Sequence, residues 1–251
     1  MPEATPVVDA WLVAGGRYHD IDFARLELLE LLAEHPQLRV QVDSDYSNLA
    51  ALERSRVLVS YTCDVRPEPA QQEALARWVA RGGRWLALHG TNSALDFTPA
   101  GVEAPRIFAR FAHTLGSQFL AHPPIQPYRV EVSAPEHPLV AGIEPFETDD
   151  ELYLCEYHDE EKLVPLLHTH YRGEAAGFVE SDWAGADRHL VMYLRPLGEG
   201  AVLYNTLGHC RGHYDMRPVM DYYPTVERCS WELPVYRELL RRGLRWCLRQ
   251  D

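Results

Sequence analysis

The chain's chemically versatile residues recur just past apolar runs. His19 and Asp20 follow the first such run in GGRYHD, His89 closes RWLALHG, and His209 closes AVLYNTLGH. His122 sits in FLAHPP, and Asp149, Asp150 and Glu151 stand together in DDELY. Imidazole exchanges protons near neutral pH and ligates metals, and a carboxylate adds a base or a hard ligand. A single such histidine is more often a hydrogen-bonding residue than a catalytic one. Four of them beyond strands, with an acidic cluster, point to one site, because ligands of open α/β sheets bind at the carboxyl ends of the strands. We therefore expect these groups to share one solvent-reachable pocket. His209 and His213 have i, i+4 spacing, but Gly208 and Gly212 place them on a loop, where that spacing does not pair them. His35, His137 and His158 lie in turn-like settings, and His168 and His170 at an exposed strand end.

The elements that must position these groups are legible from periodicity. Apolar runs at 7–14, 38–42, 56–60 and 84–88 read as buried strands. Between them, 20–34 and 67–81 read as amphipathic helices, the second opening on proline and stopping at Gly82-Gly83. This alternation predicts a doubly wound, mostly parallel α/β sheet. Further on, 105–115 reads as a helix, 116–127 as a loop, and 128–132, 151–157, 163–168, 176–180, 189–194 and 201–206 as short strands. Gly198-Glu199-Gly200 marks a hairpin between the last two, and 234–249 closes the chain as a helix. The expectation is a single domain over 1–251, with a β-rich insertion after the fourth parallel strand.

Bulk properties narrow the function. Apolar residues make up 46% of 251, enough for a sizeable core. The formal charge of −13, with no basic run, disfavours nucleic acid as a partner. MPEATPVVDA has neither the basic start nor the apolar stretch of a signal peptide, and no window is apolar enough to span a membrane. The five cysteines form no CxxC pair and read as reduced thiols, so a cytoplasmic protein is expected.

RWLALHGTNSAL reads as a strand, a sharp turn and the start of a helix, where hydrolytic α/β enzymes carry a nucleophile. With GGRYHD, GSQFLAHPP, HPLVAGIEPFETDDELY, EGAVLYNTLGH and RGLRWCL, it makes the chain resemble the ThuA-like family, associated with trehalose utilisation. The resemblance runs from about 11 to 248 and implies a class I glutamine amidotransferase-like fold, akin to flavodoxin. It also implies that His19, His89, His122, Glu151 and His209 occupy the family's recurring polar site. Leu88 or His89 stands where an amidotransferase has its cysteine, which argues against glutamine hydrolysis through a cysteinyl intermediate. The chain departs from the family after His19 and His209, where it continues with Asp20 and with CRGHY.

Two functions follow as expectations. The first is an enzyme acting on an oxidised (3-keto) glycoside or related carbohydrate. His89, Glu151 and His209 would be catalytic, with Glu151 as general base, and Asp20, Tyr153 and His122 would bind substrate. A divalent cation, zinc or manganese, held by His19, His89, His122 and His209, would stabilise enolate charge; no nucleotide cofactor is expected. The second is a non-catalytic module binding sugar or a partner. Under either reading a homo-oligomer is open. A hydrolase using Cys63 or Cys210 is a lesser third reading. Cys63 has no basic neighbour in sequence to lower its pKa, and Cys210 adjoins His209, but neighbours along a chain do not generally face each other.

Overall fold

In the computed structural model, which describes residues 7–250, successive side chains of the first strand pack into two different cores. Ala10, Leu12 and Ala14 of β1 (Val8–Gly16) face one layer, and Trp11 and Val13 face the other. Alternation with apolar residues on both faces makes a strand covered on both sides. One layer holds α1 (Ile21–Ala33) and α5 (Pro234–Cys247), through Leu28, Leu32, Leu240 and Leu244. The opposite layer holds α2 (Leu49–Arg54), α3 (Pro69–Ala80) and α4 (Ala109–Leu115), through Leu52, Trp78 and Phe111. The N-terminal hexapeptide MPEATP, part of the targeting argument, lies outside the described residues.

Parallel strands β2 (Leu38–Asp43), β1, β3 (Val57–Cys63) and β4 (Arg84–Leu88) neighbour one another in that order, as expected. A fifth parallel strand, β13 (Gly200–Asn205), pairs with β4. The β-rich insertion expected after the fourth parallel strand lies between β4 and β13 in the chain. Beyond β13, β12 (Arg188–Leu197), β11 (Val164–His170), β8 (Gln126–Val132) and β9 (Phe146–Asp150) extend the same sheet with antiparallel pairing. The hairpin expected at Gly198 joins β12 to β13.

Several local expectations need correction. A short pair, β5 (Asp96–Thr98) with β6 (Gly101–Glu103), and helix α2 carried no clear periodic signal. The stretch 116–127 is not all loop: β7 (Ser117–Ala121) is fully buried and pairs with β10 (Leu154–Tyr157). Its polar and proline neighbours mask a short apolar core, Phe119-Leu120-Ala121. Residues 176–180 form no strand, because Gly177 takes φ +92° in mid-segment. Helix α3 starts at Pro69, whose absent N–H is not needed in a first turn. DDELY is divided: Asp149 and Asp150 end β9, and Glu151 lies in the link to β10.

Candidate metal centre

Strand order reverses between β1 and β3, so their carboxyl ends open a crevice. His19 enters it from the loop after β1. Gly16 makes that loop possible with φ +106°; a Cβ there would lie 1.8 Å from the Cys63 carbonyl oxygen. The neighbouring β4 ends in a 3₁₀ turn at His89–Asn92, not the α-helix its sequence suggested. His89 itself takes φ +44°, a left-handed conformation that costs a non-glycine residue about 1–3 kcal/mol. Tyr204 of β13 holds this turn, its hydroxyl donating to the His89 carbonyl and accepting from the Asn92 N–H. The strained elbow is present and carries imidazole.

His209 and Glu151 are placed by one buried carboxylate. Asp150 accepts backbone N–H bonds from Glu151 (2.8 Å), Gly208 (2.9 Å) and His209 (3.1 Å). It therefore ties the β9–β10 link to the loop after β13. Asp150 is the structural member of the acidic cluster, Glu151 the one that enters the site, and Asp149 is exposed.

These segments bring His19, His89, Glu151 and His209 together, with one ligand atom from each within 4.8 Å of every other. His19 Nε2 lies 2.8 Å from His89 Nε2, and Glu151 Oε2 is 3.5 Å from His89 Nε2 and 3.9 Å from His19 Nε2. Glu151 Oε1 is 3.2 Å from His209 Nδ1. All four residues are buried, His89 and His209 completely.

The hydrogen bonds fix what these nitrogens present. His89 Nδ1 meets the Thr206 carbonyl at 2.7 Å and His19 Nδ1 meets the Arg17 carbonyl at 3.2 Å. A carbonyl only accepts, so each Nδ1 carries a proton, and in the neutral ring each Nε2 then offers a lone pair. Two lone pairs then face each other across 2.8 Å, an arrangement that a cation between them would relieve. Burial, then the neighbouring His89 and His209, hold the His19 pKa well below its ordinary value, so a proton is poorly placed to be that cation. Donor atoms bound at 2.0–2.1 Å in a tetrahedron stand about 3.3 Å apart. The observed separations straddle that value, and the donor set of three imidazoles and a carboxylate suits zinc or manganese.

Charges around the group are strongly coupled. Burial opposes the Glu151 carboxylate, but His122 and His209 outweigh it and hold its pKa well below the ordinary carboxylate value. Burial likewise opposes a charged His209, yet Glu151 and Glu227 raise its pKa to about 9. Sequence reasoning missed two members of this network. Arg211 reaches Glu151 Oε1 at 3.3 Å and Glu227 Oε2 at 3.2 Å, and Glu227 accepts from His209 Nε2 at 2.9 Å. Arg211 could have been noticed two residues after His209; Glu227 lies eighteen residues on, in an irregular segment.

His122 stands outside the group of four, at the wall of the adjoining cavity. Its Nε2 is 3.5 Å from Glu151 Oε1, and its side chain keeps 24% of its exposure. The cavity has a volume of about 260 Å³, and Tyr153, Phe119, Phe178 and Cys63 also line it. Tyr153 Oη lies 3.2 Å from His89 Nε2. Asp20 has a different employment: Oδ1 caps α1 at the Phe23 N–H and Oδ2 accepts from Arg228 at 2.9 Å. His213 turns away and stacks on Tyr222. Burial pushes the Cys63 thiol well above its ordinary pKa and Cys210 up to about 12, which disfavours both as nucleophiles. A larger cavity of about 610 Å³ lies at the amino ends of β1, β3 and β4 and holds no such donor group among the described residues.

Fold and site together define an α/β protein with a buried three-histidine, one-glutamate group at the carboxyl edge of its parallel strands. The chain belongs to the trehalose utilisation (ThuA) family, whose model matches residues 10–223. Its fold is similar to that of a ThuA-like protein from Bacteroides uniformis, at 17% identity and TM-score 0.67, covering 100% of this chain and 96% of that one. A ThuA-like protein from Parabacteroides merdae is similar at 13% identity and TM-score 0.60, covering 98% and 91%. A cytoplasmic protein from Salmonella typhimurium matches at 14% identity and TM-score 0.51, covering 96% and 98%. No match to the sequence is found among curated proteins. No helix among the described residues is long and apolar enough to cross a membrane.

Proposed function

We propose that this chain is a metal-dependent enzyme acting on an oxidised carbohydrate, a 3-keto glycoside or a close relative. The observation that carries the reading is the convergence of three imidazoles and one carboxylate on a single buried point, beside a cavity of sugar size. Family membership supports the carbohydrate part. His19, His89, His209 and Glu151 would hold a divalent cation, which when bound supplies Lewis acidity toward a carbonyl or enolate oxygen.

The chain's own residues account for the rest. A 3-keto group acidifies the neighbouring C2–H. His122 is the base that fits: its Nδ1 donates to the Pro123 carbonyl at 2.7 Å, which leaves Nε2 directed to the cavity wall. Proton transfer from C2 to His122 leaves the C2–H electrons as an enolate. Their return re-forms the C3 carbonyl, makes a C1–C2 double bond and breaks the C1–O bond. The departing alkoxide takes the proton back from His122, so the products are an unsaturated keto-sugar and an alcohol. The guanidinium of Arg211, at the same wall, offsets negative charge, and Phe119 and Phe178 present apolar faces to a sugar ring. The base role expected of Glu151 thus passes to His122, because Glu151 is enclosed by the three histidines and Arg211.

The test is metal analysis of purified protein, followed by assay of alcohol release from a 3-keto glycoside before and after EDTA and after zinc or manganese is restored. Stoichiometric metal with activity that follows it is the expected result. Tight sugar binding without turnover, in metal-loaded protein, would instead make the chain a binding module.

A further inference from the structure

Residues 211–227 leave the site and return to it as one loop. Its neck is a mutual backbone pairing, Arg211 N–H to the Glu227 carbonyl at 3.0 Å and Glu227 N–H to the Arg211 carbonyl at 2.8 Å. The returning leg thereby sets the Glu227 carboxylate behind His209. Oε2 accepts from His209 Nε2 at 2.9 Å and from Arg211 Nη1 at 3.2 Å, while Oε1 accepts from the Tyr223 hydroxyl at 2.8 Å. Three donors from three residues fix both oxygens of a half-buried carboxylate.

The consequence concerns the far nitrogen of the same ring. His209 Nδ1 is buried with no hydrogen-bond donor directed at it, and it faces Glu151 Oε1. His19 and His89 turn Nε2 to the centre and anchor Nδ1 on carbonyls, whereas His209 is reversed and anchored on a charged group. A carboxylate behind a ligating imidazole fixes its tautomer, aims its lone pair and raises its basicity more than a neutral carbonyl does.

We infer that Glu227 is a positioning residue for the metal centre, which holds His209 as an Nδ1 ligand and sets the affinity of the site. The inference rests on the metal reading proposed above and assigns to the 211–227 loop a role in loading the centre. It also makes a mixed ligand set, two imidazoles bound through Nε2 and one through Nδ1, a property of this chain.

The experiment titrates Co²⁺ into EDTA-stripped, dialysed full-length protein, following the visible absorption band and competing with a chromogenic chelator. Glu227→Gln, nearly the same shape without the charge, should weaken Co²⁺ binding about 10–100-fold. Glu227→Asp should recover part of that loss, and the metal-free melting curves should stay close to that of the parent. Tyr223→Phe removes only the bond to Oε1 and should give a smaller loss; it serves as the readout if Glu227→Gln does not fold. Nitrogen-15 spectra of the zinc-loaded parent should show one Nδ1-bound and two Nε2-bound imidazoles. Parent-like affinity in both Glu227→Gln and Tyr223→Phe would overturn the positioning role while leaving the metal reading intact. A parent protein that takes up no cobalt or zinc would overturn both.

Discussion

At the scale of single residues, His209 makes the centre sensitive to pH. In metal-free protein its folded pKa of about 9 lies above the ordinary histidine value of 6.5, because Glu151 and Glu227 together outweigh burial. A raised pKa stabilises the fold while the ring is charged. That contribution is fully present below about pH 6.5 and is lost as pH rises through about 9, on the order of 3 kcal/mol in all. Stability of the stripped protein in urea should therefore fall between pH 6.5 and 9.5, and His209→Asn should flatten that part of the profile. Metal must displace the same proton, so apparent zinc affinity should rise with pH across this window. A profile unchanged by His209→Asn would show that the charge sits elsewhere.

At the scale of elements, the site depends on turns as much as on ligands. Gly16 ends β1 under the Cys63 carbonyl, and its φ of +106° sends the chain toward His19. Gly16→Ala meets both a steric clash and a disfavoured backbone, and should cost at least about 2 kcal/mol. For a chain of this size that corresponds to a fall of about 4–8 °C in Tm. Gly185→Ala is the control: nothing lies within 4 Å of the added Cβ, and its shift should stay within about 0.5 kcal/mol. Calorimetry of the two variants checks the pair, and equal shifts would deny the β1 turn its special status.

At the scale of the whole molecule, the proposed ligands join four separate stretches: the β1 loop, the β4 turn, the β9–β10 link and the segment after β13. A cation held there links the parallel half of the sheet to the strand pair β7–β10 beside it. Binding to the folded state alone stabilises by about 2.7 kcal/mol when free metal is a hundredfold above Kd. Stripping with EDTA should then lower Tm by about 5–10 °C, and zinc should restore it while magnesium, which prefers oxygen donors, should not. A Tm indifferent to EDTA in protein shown to contain metal would mean that the ion bridges nothing structural.

Periodicity alone determined the parallel strands, the flanking helices and the strand ends that carry His19, His89 and His209, because burial on two faces imposes local alternation. The convergence of histidines was likewise legible, since strand direction alone decides which end of a sheet a residue reaches. What the tertiary structure decided were pairings between distant segments. Glu151 could be seen as acidic and close to a strand, but only the Asp150 bonds to residues 208 and 209 turn it into the site. His122 and Asp20 looked equivalent to the other candidates, yet their neighbours send one to the cavity wall and the other to a helix cap. Arg211 and Glu227 fall in an irregular loop whose path is set by long-range contacts, where no periodicity exists to be read. A residue's type limits its chemistry, but which groups meet within a few ångströms is a property of the folded chain.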